Sequence, residues 1–531
     1  MKPAMGRRHS GTGASDGLFM GPARSIAGRS AAPRVAADPD SERAALAAAL
    51  AGATGGIATL MTRVEGDAAD MLGFQLAMLE DDALAAPAFA GIAAGLPADI
   101  AFATAMNAEI AGYDASDDEY FRARSADLAD IRDRVLRVLA GEDLAGAEAG
   151  VVLTGDDLAP SLFLETDWSR GGAIALRRGS STSHVAMLAR ARGIPMVVGL
   201  GEALSETAGT LMVDGSTGTV TADPDAAEQV AFASALARHS AARAAEERFL
   251  LQPARRRDGA PVEVLVNVAG VEELDGIDPA SCDGIGLMRS EFLFRDGADL
   301  PDEEMQYHAY RRFLEWAGGK PVTIRTLDIG GDKPIRGLTP EGEANPFLGL
   351  RGVRLTLARA EVFRTQLRAL ARSAVHGNLK VMIPMVTVPD ELARSAALLA
   401  ACLAQLEAAG TPHAAPPLGI MVEVPAVAVA PELFGAARFL SIGSNDLTQY
   451  VTAAARDDAR VAPLNDPGHP AVLRLIAQVA DYGRQTGIPV SLCGDMASEP
   501  RHLAALLGAG LTSLSVAPAR LARVKAAIAE L

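Results

Sequence analysis

After residue 260 the chain alternates eight times between a short apolar run and a longer stretch of helical character. The runs are 263–267, 284–288, 322–327, 380–385, 418–422, 439–442, 489–492 and 513–516. This alternation constrains the fold more than any other feature. A short apolar run bounded by turn residues reads as a strand buried on both faces. Strands separated by helices pair in parallel, because each crossover carries the chain back to the same end of the sheet. Eight such units in roughly 250 residues predict a TIM (β/α)8 barrel, here over 258–531. In such a barrel the groups that follow each strand meet at the C-terminal mouth, however far apart they are in sequence.

Those positions carry reactive side chains. The second strand ends in Arg289-Ser290-Glu291, and the third holds Arg325 and Asp328, followed by Gly330-Gly331-Asp332-Lys333. Glu423 follows the fifth, Gly443-Ser444-Asn445-Asp446 the sixth and Cys493-Gly494-Asp495 the seventh, with Arg351 and Arg456 in adjoining loops or helix starts. Arginines grip carboxylates and phosphates with paired hydrogen bonds. Glu423 and Asp446, on neighbouring strand ends, suit Mg²⁺, which takes one or two protein carboxylates and leaves its other positions to water and substrate oxygens. A small phosphorylated carboxylic acid satisfies both sets, and a thiol at the same mouth is a candidate acid toward a developing carbanion.

The first half is built differently. Residues 1–10 read as a tail, and 11–36 as a strand with loops. From Asp38 to Ala140 the pattern is helical. A first helix is capped by Asp40 or Ser41 and ends near Glu65, a second covers 68–84 ahead of Pro87, and a third covers 97–113. A fourth starts near Asp117, with Leu128, Ile131, Val135 and Val138 on one face. Short loops between them suggest an antiparallel bundle. Apolar runs at 151–153, 172–176, 196–198 and 211–213 read as strands of a small α/β domain. An Ala-rich, charged connector spans 225–251. The expected organisation is a multidomain α/β chain. It comprises a tail (1–10), an α/β domain in two pieces (11–37 and 144–223), a helical insertion (38–143), a linker helix (224–257) and the barrel.

Composition narrows the chemistry. Lys plus Arg is 49 and Asp plus Glu is 66, so the net charge is 49 − 66 = −17. That argues against binding nucleic acid through its phosphates. Three cysteines, Cys282, Cys402 and Cys493, are too few for a disulfide framework and fit a reducing cytoplasm. No uncharged run of about 18 apolar residues marks a membrane span, and the N-terminus lacks the apolar centre of a secretory signal.

His184, in Thr182-Ser183-His184-Val185-Ala186-Met187-Leu188-Ala189-Arg190, stands at a helix start after a Gly/Ser loop. Backbone N–H groups there favour a phosphate, and histidine is a covalent nucleophile. The remaining histidines read as surface or packing residues.

With Thr182–Arg190, six further segments follow in a fixed order. They are Gly286–Phe294, Arg325–Lys333, Asn345–Gly349, Met421–Ala426, Gly443–Tyr450 and Cys493-Gly494. In this set the chain resembles Enzyme I of the bacterial phosphoenolpyruvate-dependent phosphotransferase system, from Gly11 to about Leu521. The resemblance implies a swivelling α/β phosphohistidine domain with a helical-bundle insertion, and a barrel that binds phosphoenolpyruvate and forms a homodimer. It implies that His184 is phosphorylated, that Arg289, Arg325, Asn445 and Arg456 hold the substrate with help from Arg351, that Glu423 and Asp446 bind Mg²⁺, and that Cys493 protonates the enolate. The bundle would dock a histidine phosphocarrier protein through Gln75, Met78, Asp82, Leu84 and Arg124. The departures from the family pattern include Gly179-Ser180-Ser181 in place of Gly-Gly-Arg before Thr182-Ser183-His184, Ala159 where a threonine usually bonds the active histidine, and Ala455 in place of the aspartate before Arg456. Alternatives are a regulatory phosphoprotein acting by docking and a dikinase-type pyruvate/phosphoenolpyruvate enzyme; the latter needs a nucleotide domain for which no Gly-rich phosphate loop is evident.

Overall fold

The computed structural model describes residues 7–26, 37–62, 67–115, 119–141, 149–180, 183–201, 209–294, 300–331, 335, 337–340, 342–455 and 460–531. It divides into two compact units, Met1–Ala241 and Ala242–Leu531.

The first unit holds an eight-stranded sheet. Its strands are β1 (Arg7–Ser10), β2 (Thr12–Ser15), β3 (Leu18–Ser25), β4 (Val152–Gly155), β5 (Ala173–Leu176), β6 (Met196–Val198), β7 (Thr210–Asp214) and β8 (Thr219–Ala222). The order is β1-β8-β7-β3-β4-β5-β6-β2. The central β3, β4, β5 and β6 run parallel. Part of the expected tail is therefore structured, because Arg7–Ser10 pairs antiparallel with Thr219–Ala222. Its Arg-Arg-His-Ser sequence gives no apolar signal because β1 is an edge strand, where polar and charged side chains are the norm.

The helical layer has five helices where the periodicity suggests four: α1 (Pro39–Met61), α2 (Asp67–Glu80), α3 (Asp82–Ala93), α4 (Ala98–Asp114) and α5 (Glu119–Leu139). Asp38 caps α1, its carboxylate accepting from the Ser41 N–H. The extra helix is α3, which Asp81 caps and which carries Pro87 inside it. A proline in a helix removes one hydrogen bond and crowds the preceding turn, so the sequence reads as a stop there. Tertiary packing of Ala85, Ala88 and Ile92 keeps the helix going. By length and composition α1 is apolar enough to cross a membrane. In this fold it turns Leu46, Ala49 and Ala53 into the bundle core beside Phe102, Met106, Leu128 and Ile131.

A buried polar network ties the bundle to the α/β layer. Asp130 of α5 accepts from Gln75 Nε2 (3.0 Å), from the Ser161 hydroxyl (2.7 Å) and from the Ser161 N–H (3.2 Å). Ser161 lies in the first turn of α6 (Pro160–Glu165), whose N-cap is Ala159 and has no side-chain cap of its own. Asp130 therefore supplies, from a distant helix, the acceptor that an N-cap side chain normally gives. The remaining helices of this region are α7 (His184–Arg192) and α8 (Ala226–Glu247), which has no buried residue.

The second unit is a closed barrel of parallel strands: β9 (Glu263–Val268), β10 (Ile285–Arg289), β11 (Pro321–Arg325), β12 (Asn378–Ile383), β13 (Leu418–Val422), β14 (Leu440–Ile442), β15 (Val490–Leu492) and β16 (Ser513–Val516), with β16 closing on β9. Every strand falls on an expected run to within two residues. β-branched and long aliphatic side chains such as Val264, Val266, Ile324, Val381, Ile420 and Ile442 fill the core between strands and helices.

Replacing Asp130 with Ala strands the Gln75 and Ser161 donors. Each buried donor left unpaired costs about 1–3 kcal/mol. Calorimetry of Asp130→Ala is expected to show a lowered transition for the N-terminal unit and an unchanged one for the barrel.

Candidate active site

The mouth of the barrel forms one cleft lined by Leu287, Arg289, Arg325, Asp328, Arg351, Met421, Glu423, Gly443, Asn445, Asp446, Cys493 and Gly494. Each polar member stands in a strand's last position, in the loop that follows a strand, or in the first turn of the helix after it. Arg289 and Arg325 end β10 and β11. Glu423 and Cys493 come directly after β13 and β15, and Asn445 and Asp446 open the helix Ser444–Thr452 after β14.

The side chains are held by one another. Arg325 pairs through Nη2 with Glu291 Oε1 and through Nη1 with Asp328 Oδ2, both at 3.0 Å. Arg351 donates from Nη2 to Asp328 Oδ2 (3.0 Å) and from Nε to Asp328 Oδ1 (3.3 Å). Its Nη1 reaches Asp446 Oδ1 and the Tyr450 hydroxyl, both at 3.3 Å. Tyr450 in turn donates to the Phe347 carbonyl (2.6 Å). Gly330, at φ +104°, lets the backbone pass so close that a Cβ there would lie 2.8 Å from the Arg351 Cβ. Asn445 and Asp495 bond reciprocally: the amide donates to Asp495 Oδ2 (2.9 Å) and accepts from the Asp495 N–H (3.0 Å). The Met385 N–H donates to Glu423 Oε1 (2.6 Å), from a residue held at φ +56°. A non-glycine residue in that region is uncommon, and no periodicity in the sequence announces it.

Family comparisons match the chain in three consecutive blocks. The description "PEP-utilising enzyme, N-terminal" covers residues 10–124, "PEP-utilising enzyme, mobile domain" covers 147–218, and "PEP-utilising enzyme, PEP-binding domain" covers 243–531. The chain belongs to the PEP-utilising enzymes. A relative from Haloferax volcanii, named phosphoenolpyruvate-protein phosphotransferase, is 40% identical over 417 residues, which are 77% of this chain and 72% of the relative. One from Cupriavidus necator bearing the same name is 37% identical over 515 residues, 92% of this chain and 87% of its own. The PEP-binding description spans the whole barrel unit, so the cleft at the barrel mouth lies inside it.

Electrostatics define what this PEP-utilising enzyme's cleft can hold. Burial pushes the Glu423 carboxyl up to about 8, the neighbouring Asp328 and Asp446 charges push the same way, and Arg325 and Arg351 offset part of it. A carboxylate that resists ionising beside two others is relieved by a cation. Glu423 and Asp446, on neighbouring strand ends, offer hard oxygen donors that could hold a divalent cation. Burial works against the charge on Arg325, but Glu291, Asp328, Glu423 and Asp446 hold it firmly protonated. Burial lifts the Cys493 thiol to about 11, and a Ser441 hydrogen bond offsets part of that rise. At neutral pH the group is therefore a thiol, not a thiolate.

Of the expected site residues, Arg289, Arg325, Arg351, Asn445, Asp446, Glu423 and Cys493 meet in this cleft, while Arg456 lies outside the described residues. His184 begins α7, and the Ser183 hydroxyl caps that helix by accepting from the Ala186 N–H (3.2 Å). Gln75 is a correction to the expected docking set. It is wholly buried and bonded to Asp130, because its polar tip serves the joint between bundle and sheet. Met78 and Leu84 are half-buried against the bundle core, Asp82 is exposed in the first turn of α3, and Arg124 lies along α5. Glu291, Asp328 and Asp495 stand at strand ends in the sequence without an assigned role. In the structure they are the anions that orient Arg325, Arg351 and Asn445. Tyr450 closes the motif that holds Asn445, and that position was its only sequence signal.

Glu423 gives a pH signature. Its folded-state value is raised from the ordinary 4.5 to about 8. Its contribution to stability is therefore complete below about 4.5, falls as pH rises toward 8, and is flat above. In metal-free protein, the difference in barrel unfolding midpoint between wild type and Glu423→Gln is expected to shift against the wild type across that window and then level off. A difference that does not change with pH counts against a raised Glu423.

Proposed function

We propose that the chain transfers the phosphoryl group of phosphoenolpyruvate to its own His184, releases pyruvate, and then passes the phosphoryl group to a histidine phosphocarrier protein, as the first step of a phosphotransferase system. The observation that carries this reading is the cleft in which three arginines, three carboxyl groups, an amide and a protonated thiol converge. In this reading residues 11–37 and 144–223 form the phosphohistidine domain, 38–143 the carrier-docking insertion, 224–257 the linker and 258–531 the substrate-binding barrel, which also supports a homodimer. The free cysteines among the described residues, Cys282, Cys402 and Cys493, are all buried, in keeping with a reducing cytoplasm.

The roles follow from charge. A phosphoryl group in transfer needs its equatorial oxygens neutralised and its neighbours in line more than it needs covalent help. Arg289, Arg325 and Arg351 supply guanidinium donors for the phosphate and carboxylate, Arg456 is assigned to the same task, and Asn445 is held ready by Asp495. Glu423 and Asp446 would hold Mg²⁺, which when bound neutralises phosphate oxygens. The cleft lining holds three carboxyl groups (Asp328, Glu423 and Asp446) and three guanidiniums, one of which, Arg325, is also paired with Glu291. The arginines alone therefore leave no surplus for a multiply charged anion, and cation and substrate should bind as a set. His184 and the cleft belong to different units of the chain, and in this reading the phosphoryl group passes from one unit to the other. When the P–O bond breaks, the enolate of pyruvate remains. Cys493 then gives its Sγ proton to C3: the S–H bond breaks, a C–H bond forms from the enolate π pair, and the thiolate recovers a proton from solvent.

Labelled phosphoenolpyruvate with Mg²⁺ tests the reading. Wild type is expected to take up acid-labile, base-stable label, His184→Gln none, and a chelator-treated sample little. Arg325→Met is expected to slow labelling by about 10²–10³-fold, as for removal of a preorganised donor. Cys493→Ala is expected still to label His184 while forming pyruvate about 10²–10⁴-fold more slowly. Full labelling of His184→Gln would overturn the proposal.

A further inference from the structure

The assignment of Cys493 as proton donor requires that something fix its position. β14 pairs with all three residues of β15, and the Cys493 thiol donates to the Ile442 carbonyl at 3.7 Å, but the β16 side holds this strand end poorly. β15 has three residues, and it shares a single register pair, Leu492 with Leu514, with β16. On the other side the Cys493 N–H donates to the Ile442 carbonyl (3.0 Å). The Cys493 carbonyl is instead held by Asn267 of β9, which reaches past β16 to donate from Nδ2 at 3.0 Å. The same nitrogen lies 3.3 Å from the Ser515 carbonyl, and Asn267 Oδ1 accepts from the Ser515 hydroxyl at 2.6 Å. The two carbonyls fix which end of the amide faces Cys493, since only the nitrogen can donate to them, and the Ser515 hydroxyl satisfies the oxygen. The arrangement has room for nothing else: a Cβ at Gly286 would lie 2.4 Å from Ser515 Oγ, and one at Gly494 would lie 1.9 Å from Ser444 Oγ.

We propose that Asn267 is a positioning residue for proton delivery. It replaces the missing ladder bond at the end of β15 and so aims the Cys493 thiol at one face of the enolate. The proposal rests on the reading of Cys493 as the acid, and the two can be separated by experiment. Phosphoenolpyruvate deuterated stereospecifically at C3 is turned over once in tritiated water, and the chirality of the pyruvate methyl group is read beside the rate of His184 labelling. Wild type is expected to give one methyl configuration. Asn267→Asp keeps an acceptor for Ser515 but loses the donor to Cys493, and Asn267→Leu loses both. Both variants are expected to label His184 within a few-fold of wild type, to form pyruvate about tenfold or more slowly, and to give a largely racemic methyl, since a displacement of about 1 Å is enough for losses of this order. Ser515→Ala retains the bond to Cys493 and is expected to keep the wild-type configuration. If Cys493→Ala racemises the methyl but both Asn267 variants do not, the positioning role is wrong and the acid stands. If Cys493→Ala itself keeps the configuration, the acid is misassigned and the proposal falls with it. Loss of His184 labelling in both Asn267 variants would show that Asn267 supports the whole mouth, and would equally overturn the specific role.

Discussion

Two guanidinium groups share one carboxylate at the barrel mouth, and the rest of the cleft is arranged around that fact. Asp328 is almost wholly buried and is ion-paired with both Arg325 and Arg351. Buried ions are costly unless their partners and hydrogen bonds are in place. Here Asp328 and Glu291 let two like charges stand side by side, facing the same space, before any ligand arrives. The Asp328 N–H also donates to Glu291 Oε1 (2.9 Å), so the backbone after β11 is fixed by the carboxylate that holds the guanidinium. Preorganised charge of this kind acts without reorganising during the reaction.

The barrel was legible because its strands are buried on both faces and its helices lie between them, which imposes a pattern on nearly every residue. The strand-end chemistry was legible for the same reason: once the strands are placed, the mouth is placed. What escaped is what rests on particular contacts. Pro87 argues for a helix end, and only packing by Ala85, Ala88 and Ile92 overrides it. Arg7–Ser10 is polar because it lies at a sheet edge, and an edge strand looks like a tail in sequence. Gln75 looks like a surface residue of an acidic helix, yet it is a buried donor to Asp130. The turn at Met385 that aims an N–H at Glu423 leaves no trace in residue type at all.

Ala159 shows how a departure from a family pattern is absorbed. A threonine at this position could have capped α6. With alanine there, the helix start depends on Asp130, whose carboxylate also binds Gln75. The bundle is therefore joined to the α/β layer by the same group that satisfies the helix terminus. The segment from Ala159 to α7, which ends in the phosphohistidine candidate, inherits its footing from a helix of the insertion.

The raised thiol and the charged cleft are two consequences of one environment. Leu287, Met382, Met421 and Phe439 form the buried apolar group against which Cys493 packs. Burial strengthens the contacts of Arg325 and Arg351, and it makes the Cys493 thiolate expensive, so the thiol stays protonated at neutral pH. A weaker acid is no handicap toward an enolate carbon, which is a far stronger base than a thiolate. It is an advantage while the phosphoryl group is still attached, because a group that keeps its proton adds no negative charge to a site already balancing carboxylates against guanidiniums. In the proposed reaction the same desolvation serves substrate binding and proton delivery, and the order of events follows from the charge: the thiol parts with its proton only after carbanion character has appeared beside it.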